Sequence, residues 1–121
     1  MGLDELNRSV TSAILRAEAF PPGSWEAEGA FRDVAELEEE LAAIVGAHTV
    51  QGEVARLGAV TASISAGDLV RAVQLAERYL VDGLSNGSRT KLQQLLDEAE
   101  AAIANLDAPN VDPLPFTLRA A

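Results

Sequence analysis

The chain has 121 residues, 48% of them hydrophobic, which is enough for one domain with its own core and argues against wholesale disorder. Its formal net charge is −10, from nine basic and nineteen acidic residues. Proteins that bind nucleic acids neutralise phosphates with clustered Lys and Arg side chains, so this balance predicts no nucleic-acid partner.

Five segments carry apolar residues at the three- and four-residue spacing of amphipathic helices, and most of these residues are alanine or leucine. The first helix is predicted over about 3–20 and is ended by Pro21 and Pro22, which cannot continue a regular helix. Ser24 is the predicted N-cap of a second helix that continues to about Val45, and its apolar stripe consists of Ala30, Val34, Leu37, Leu41 and Ile44.

The third predicted helix, over about 50–66 with Thr49 as its N-cap, has the weakest helical features. Gly52 and Gly58 lie in its interior, where a glycine costs about 1 kcal/mol relative to alanine. The apolar spacing is nevertheless helical, and Gly58, Ala59 and Ala62 are small enough to let a neighbouring helix approach closely. We therefore predict a buried central helix.

The last two helices are predicted on either side of a turn at residues 85–88. Asp68 is the predicted N-cap of the fourth helix, whose apolar stripe ends at Leu84, and Ser88 is the predicted N-cap of the fifth, which ends near Asp107. The connections between helices are short, which favours antiparallel neighbours. The fold class is therefore all-α: an antiparallel bundle of four to five helices over residues 1–107.

Two stacked helical hairpins are an alternative arrangement within this fold class. A shift of 38–39 residues superposes Leu37 on Leu75 and Leu57 on Leu96, as in helical repeat proteins. Leu- and Ala-rich helices also align by chance, so the repeat stays a hypothesis and indicates no family.

Residues 108–121 are predicted to form an extended C-terminal tail, because three prolines there prevent a regular helix. The tail is more apolar than an inert linker, and its apolar residues are Val111, Leu114, Phe116 and Leu118. Such a segment either packs back across its own bundle or docks on another chain. These four residues are candidate partner-binding residues.

Trp25 is the fifth candidate, since it is the single tryptophan and directly follows Pro-Pro-Gly-Ser. We expect it to fold back over the first turn between helices. The alternative is an exposed hydrophobic anchor for a partner.

Catalytic and metal-binding residues are not predicted. The chain has no cysteine, and its single histidine, His48, lacks the Glu-x-x-His spacing of helical di-metal sites. Residues 83–87 match the Gly-x-Ser-x-Gly pattern around Ser85, but that motif needs a strand before the serine, and here a helix precedes it. The acidic run at residues 36–40 is predicted to be a solvated helix face. We therefore expect no enzyme activity and no cofactor.

The chain has no apolar stretch of the roughly 18–20 residues that span a bilayer and no secretory signal pattern at its start. We accordingly expect a cytoplasmic protein without a membrane partner.

These features favour a non-enzymatic protein–protein interaction or assembly module, such as an adaptor or a small accessory subunit. We also expect a homodimer, because Ile14 and Leu15 lie outside the main apolar stripe of the first helix. Three alternatives stay open: an acidic antitoxin or inhibitor that neutralises a basic partner, a structural component of a large assembly, and a helical ligand-binding protein or enzyme with a core pocket.

Overall fold

A computed structural model of the chain describes residues 2–107. This part of the chain consists of five helices joined by connections of three to six residues. The helices are α1 (Leu3–Glu18), α2 (Trp25–Ile44), α3 (Val50–Ser65), α4 (Leu69–Leu80) and α5 (Asn86–Asp107). The predicted all-α bundle is confirmed for these residues. The predicted tail at 108–121, with Val111, Leu114, Phe116 and Leu118, lies outside the described residues.

Side-chain caps define the starts of α2 and α3, as the sequence predicts. The hydroxyl of Ser24 accepts a hydrogen bond from the backbone N–H of Ala27 at 3.1 Å. The hydroxyl of Thr49 accepts one from the backbone N–H of Gly52 at 2.9 Å. Each bond satisfies a backbone donor that the first turn of a helix leaves without a partner.

The boundary between α4 and α5 differs from the prediction. The helix α4 ends at Leu80, and Leu84 lies in the connection, although its side chain is still buried. Gly83 adopts a φ of 78°, a left-handed conformation that favours glycine and redirects the chain. The helix α5 already begins at Asn86, and the hydroxyl of Ser85 rather than Ser88 accepts from a first-turn N–H, at 3.5 Å.

The helix α3 is central, as predicted, because it packs against α2, α4 and α5, whereas α1 packs against α2. Much of its buried surface is alanine, which keeps the neighbouring helices close; these residues are Ala55, Ala59 and Ala62. The α2–α3 and α4–α5 pairs are thus adjacent, because α3 contacts both helices of the second pair. Gly52 permits a further close approach, since a Cβ there would collide with the backbone carbonyl of Gly46.

The side chain of Arg56 links the ends of three helices through hydrogen bonds. Its guanidinium is buried and donates to Asp82 at 3.0 Å and to the carbonyl oxygens of Val45 at 3.1 Å and Gly52 at 3.0 Å. It also lies over the ring of Tyr79, 5.6 Å from the ring centroid. The end of α2, the start of α3 and the end of α4 are held together by this one side chain.

None of the helices in residues 2–107 is both long enough and apolar enough to span a membrane.

Candidate functional site

One stripe of α3 is left uncovered between α2 and α5. Its residues follow helical spacing and are Val54, Leu57, Gly58 and Thr61. Glu38 of α2 borders the stripe on one side, and Lys91 and Leu95 of α5 border it on the other. These residues line a groove of about 360 Å³, which we call the α3 groove. Val54 on its floor is 58% exposed, which is high for a branched apolar side chain in a helix.

Glu38 is the unusual residue of the α3 groove. Its side chain is only 6% exposed, yet it makes no hydrogen bond or ion pair with any of residues 2–107. Gly58 makes room for it, because a Cβ at position 58 would collide with the Glu38 carboxylate. Burial without a partner disfavours the charged form and raises the pKa of Glu38 to about 7.

The prediction of a solvated acidic run at residues 36–40 is therefore wrong for Glu38. Glu36 and Glu40 are exposed, and Glu39 is half-buried in an ion pair with Arg71. Glu38 lies four residues after Val34, which is buried, so it shares the buried face of α2.

The spacing of Val34, Glu38 and Ala42, at successive intervals of four residues, is the sequence signal that could have revealed this burial. The predicted stripe of Ala30, Val34, Leu37, Leu41 and Ile44 shares Ala30, Val34 and Leu41 with the buried face, but it leaves Glu38 on the flank. Leu37 is half-buried and Ile44 is exposed, so the buried face of α2 is rotated relative to the prediction.

Lys91 does not neutralise Glu38. Both residues line the α3 groove, but the Lys91 side chain is exposed, and no ion pair joins it to Glu38. A buried ionised carboxylate without a partner is costly, and the cost falls when a cation or a hydrogen-bond donor reaches it. The groove is thus suited to a ligand that brings apolar surface and one positive charge.

A second and larger groove, of about 640 Å³, lies between α2 and α4, and most of its lining residues are charged; we call it the polar groove. Its charged lining residues are Arg32, Arg71, Arg78, Glu36, Glu39, Glu40 and Asp68. Arg71 pairs with Glu39, and Arg32 donates to the carbonyl oxygen of Ala66 at 3.5 Å. These contacts link α2 to α4 and to the end of α3, so part of this charge already has a structural role.

Trp25 is 79% exposed at the start of α2, so the expectation that it folds back over the first turn is wrong. Its role as an anchor for a partner stays a prediction. It is thirteen residues before Glu38, or about 20 Å along the helix, and it does not line the α3 groove.

Ser85 and His48 do not form a catalytic pair. The Ser85 hydroxyl donates to Glu53 at 3.0 Å, and its backbone N–H donates to the same carboxylate at 2.8 Å. The backbone bond from Ser85 and the hydroxyl bond from Ser88 lower the pKa of Glu53. His48 is exposed and makes no hydrogen bond with a described residue. Glu53 therefore ties α3 to the start of α5, and Ser85 serves that connection.

Among residues 2–107 there is no group of three or more His, Cys, Asp and Glu side chains that could hold a metal ion. No protein-family model matches the chain, and comparisons with curated proteins and with solved structures find no match either.

Proposed function

We propose that this protein is a non-enzymatic interaction module whose α3 groove binds a short apolar segment that carries one positively charged side chain. The observation that carries the proposal is Glu38, a carboxyl group that is buried beside exposed apolar surface and has no partner in residues 2–107. A protein gains nothing in stability from such a group, so a role in recognition accounts for it.

The apolar floor and the carboxylate have complementary roles in this proposal. Covering a side chain such as Val54 or Leu95 contributes about 1.5–3 kcal/mol when its burial is complete. The ion pair with Glu38 supplies selectivity, because a segment without a cation leaves the carboxylate buried and unpaired. Since binding also orders the segment, we expect affinities on the order of micromolar.

A helical ligand-binding protein or enzyme is the second candidate, and the raised pKa of Glu38 favours it. A carboxyl group that titrates near neutral pH is suited to general acid–base chemistry. The rest of the groove supports this candidate less well, because Thr61 and Lys91 are its other polar lining side chains and both are exposed.

Three further expectations from the sequence concern an acidic surface that covers a basic partner, a homodimer and a cytoplasmic location. An acidic surface that covers a basic partner is less favoured on α2, because the acids of the polar groove alternate with Arg32, Arg71 and Arg78. A homodimer stays a prediction. Ile14 packs against the core, while Leu15 is exposed and available for such a contact. A cytoplasmic location likewise stays a prediction.

The test is selection of binders from a random dodecapeptide library on the immobilised full chain. We expect the selected peptides to combine several large apolar residues with one Arg or Lys. Fluorescently labelled copies should lose at least about tenfold in affinity for the Val54→Asp variant, because the new charge lies on the groove floor, and several-fold for Glu38→Gln.

Val70→Asp is the matched control, since Val70 is also a helical valine and is 61% exposed, but lies on α4 outside the groove. Peptide binding to this variant should equal binding to the parent. Failure to select any peptide, or selected peptides that bind the Val54→Asp variant as tightly as the parent, would show that the groove does not bind a partner of this kind.

A further inference from the structure

We infer that the chain's own segment 108–121 occupies the α3 groove in cis, with its apolar residues on Val54 and Leu57 and Arg119 beside Glu38. The segment would then compete with any partner for the groove. This inference rests on the proposed function, since it names the regulation of the same site.

The chemistry of the segment matches that of the groove. Its large apolar side chains are Val111, Leu114, Phe116 and Leu118. Arg119 is its only positively charged residue and directly follows Leu118, so an apolar anchor and a cation are adjacent. The groove offers the complementary pair: an exposed apolar floor and a buried carboxylate that no residue of 2–107 neutralises. The prolines of the segment also favour an extended backbone, which lowers the entropy lost on docking.

Segment 108–121 is long enough to reach from the end of α5 back to the α3 groove. The helix α5 ends at Asp107, twelve residues after Leu95, which corresponds to about 18 Å along the helix. An extended chain advances about 3.3 Å per residue, so the nine residues from Asp107 to Phe116 span about 30 Å. This reach exceeds the distance back to Leu95 and leaves several residues for the reversal after α5.

A row of apolar residues on α5, which we call the apolar track, runs from the C-terminal end of this helix to the α3 groove. At 3.6 residues per turn, Leu95, Ala102 and Leu106 lie within about 40° of one another around the helix. Leu106 is exposed although it is large and apolar, and Ala102 is half-buried. A segment that reverses after Asp107 and runs back along this track reaches the α3 groove directly.

The absence of cysteine from the chain allows a direct test by disulfide trapping in the full-length protein. Thr61→Cys on the groove floor is combined with Leu118→Cys. The control combines Val70→Cys on α4, which also packs against α5, with the same Leu118→Cys. Under mild oxidation we expect the groove pair to form an intrachain disulfide at least about tenfold faster than the control pair. Adding Arg119→Glu should reduce that ratio toward one.

The mass of the oxidised product distinguishes the occupants. A monomer that carries the disulfide supports docking in cis. A disulfide-linked dimer as the main product overturns it and assigns the groove to the segment of a second copy. Equal rates for the groove and control pairs overturn docking of the segment altogether.

A second measurement separates this inference from the proposed function. The double variant Phe116→Ser, Leu118→Ser should bind the library-selected peptides several-fold more tightly than the parent, because the competing segment is weakened. Equal affinity for both proteins overturns the inference and leaves the proposed function standing. Trapping of the groove pair without binding of any peptide to either protein supports cis docking and contradicts the proposed partner.

Discussion

The two buried charged residues of the described chain are Arg56 and Glu38, and their surroundings are opposite. Arg56 donates three hydrogen bonds, which join α2, α3 and α4, and also covers the Tyr79 ring. Glu38 is equally buried and has no partner among residues 2–107. The fold itself accounts for a buried charge that is fully paired. A buried charge without a partner destabilises the folded protein unless a ligand pairs with it. This contrast separates a structural junction from a candidate recognition site.

The largest expected effect is a loss of stability on substitution of Arg56, which tests whether this residue holds the helices together. Arg56→Met should lower the free energy of unfolding by roughly 3 kcal/mol, because the change leaves Asp82 and the end of α2 without their donor. Urea denaturation followed by circular dichroism measures the loss. Arg16→Met is the control, since Arg16 forms an exposed 3.2 Å ion pair with Asp33 and should change stability by no more than about 0.5 kcal/mol. Equal effects of the two variants would mean that Arg56 is not a junction.

Two glycines of α3 provide the next comparison. At Gly52 a methyl group would collide with the rigid backbone of Gly46, so Gly52→Ala should destabilise the protein by roughly 2 kcal/mol. At Gly58 it would meet only the movable end of Glu38, so Gly58→Ala should change stability by less than about 1 kcal/mol.

Gly58→Ala should also displace the Glu38 side chain into solvent and reduce binding of the selected peptides. Thermal unfolding and peptide affinity, measured together on both variants, check this pair of expectations. If Gly58→Ala leaves the affinity for the peptides unchanged, the position of Glu38 does not matter for recognition.

Much of the fold could be predicted from the sequence because its signals are local. Pro21 and Pro22 follow the end of α1, and Ser24 and Thr49 cap α2 and α3 where a polar side chain precedes an apolar run. The boundary after α4 could not be placed, because Leu84 is buried without being helical. The spacing of apolar residues marks which residues are buried, not which are helical. At the end of a helix a buried residue can therefore continue the spacing although the helix has already ended.

The candidate site was missed for a different physical reason. The buried face of α2 carries several small residues, which are Ala27, Ala30, Ala35 and Ala42. Alanine favours a helix at buried and exposed positions alike, so it does not mark which face is inward. Leu37 and Ile44 shifted the predicted stripe to one side of Val34 and Leu41, so that Glu38 lay on its flank, and only the packing against α3 shows which side is buried.

Ionisation of Glu38 should make the free energy of unfolding fall as the pH rises. In the surroundings that residues 2–107 provide, the folded protein holds the Glu38 proton with a pKa of about 7, against 4.5 as its ordinary value, and Arg119→Gln removes the cation that the inferred docking would add. The folded state then binds more protons than the unfolded state between these values, so this group lowers stability as pH rises through the window. The decline should be roughly 2 kcal/mol between pH 5.5 and pH 8, and Glu38→Gln should abolish it.

The most direct measurement of the central claim is the titration of the Glu38 side-chain carboxyl carbon, followed by ¹³C NMR in the Arg119→Gln variant. We predict a midpoint near pH 7 that falls by at least one pH unit when a selected cationic peptide is added, because the peptide's positive charge favours the carboxylate. In the parent chain the inferred docking of segment 108–121 predicts a lower midpoint, because it would bring Arg119 to Glu38. A midpoint near 4.5 in the Arg119→Gln variant, or one that the peptide does not move, would contradict the account.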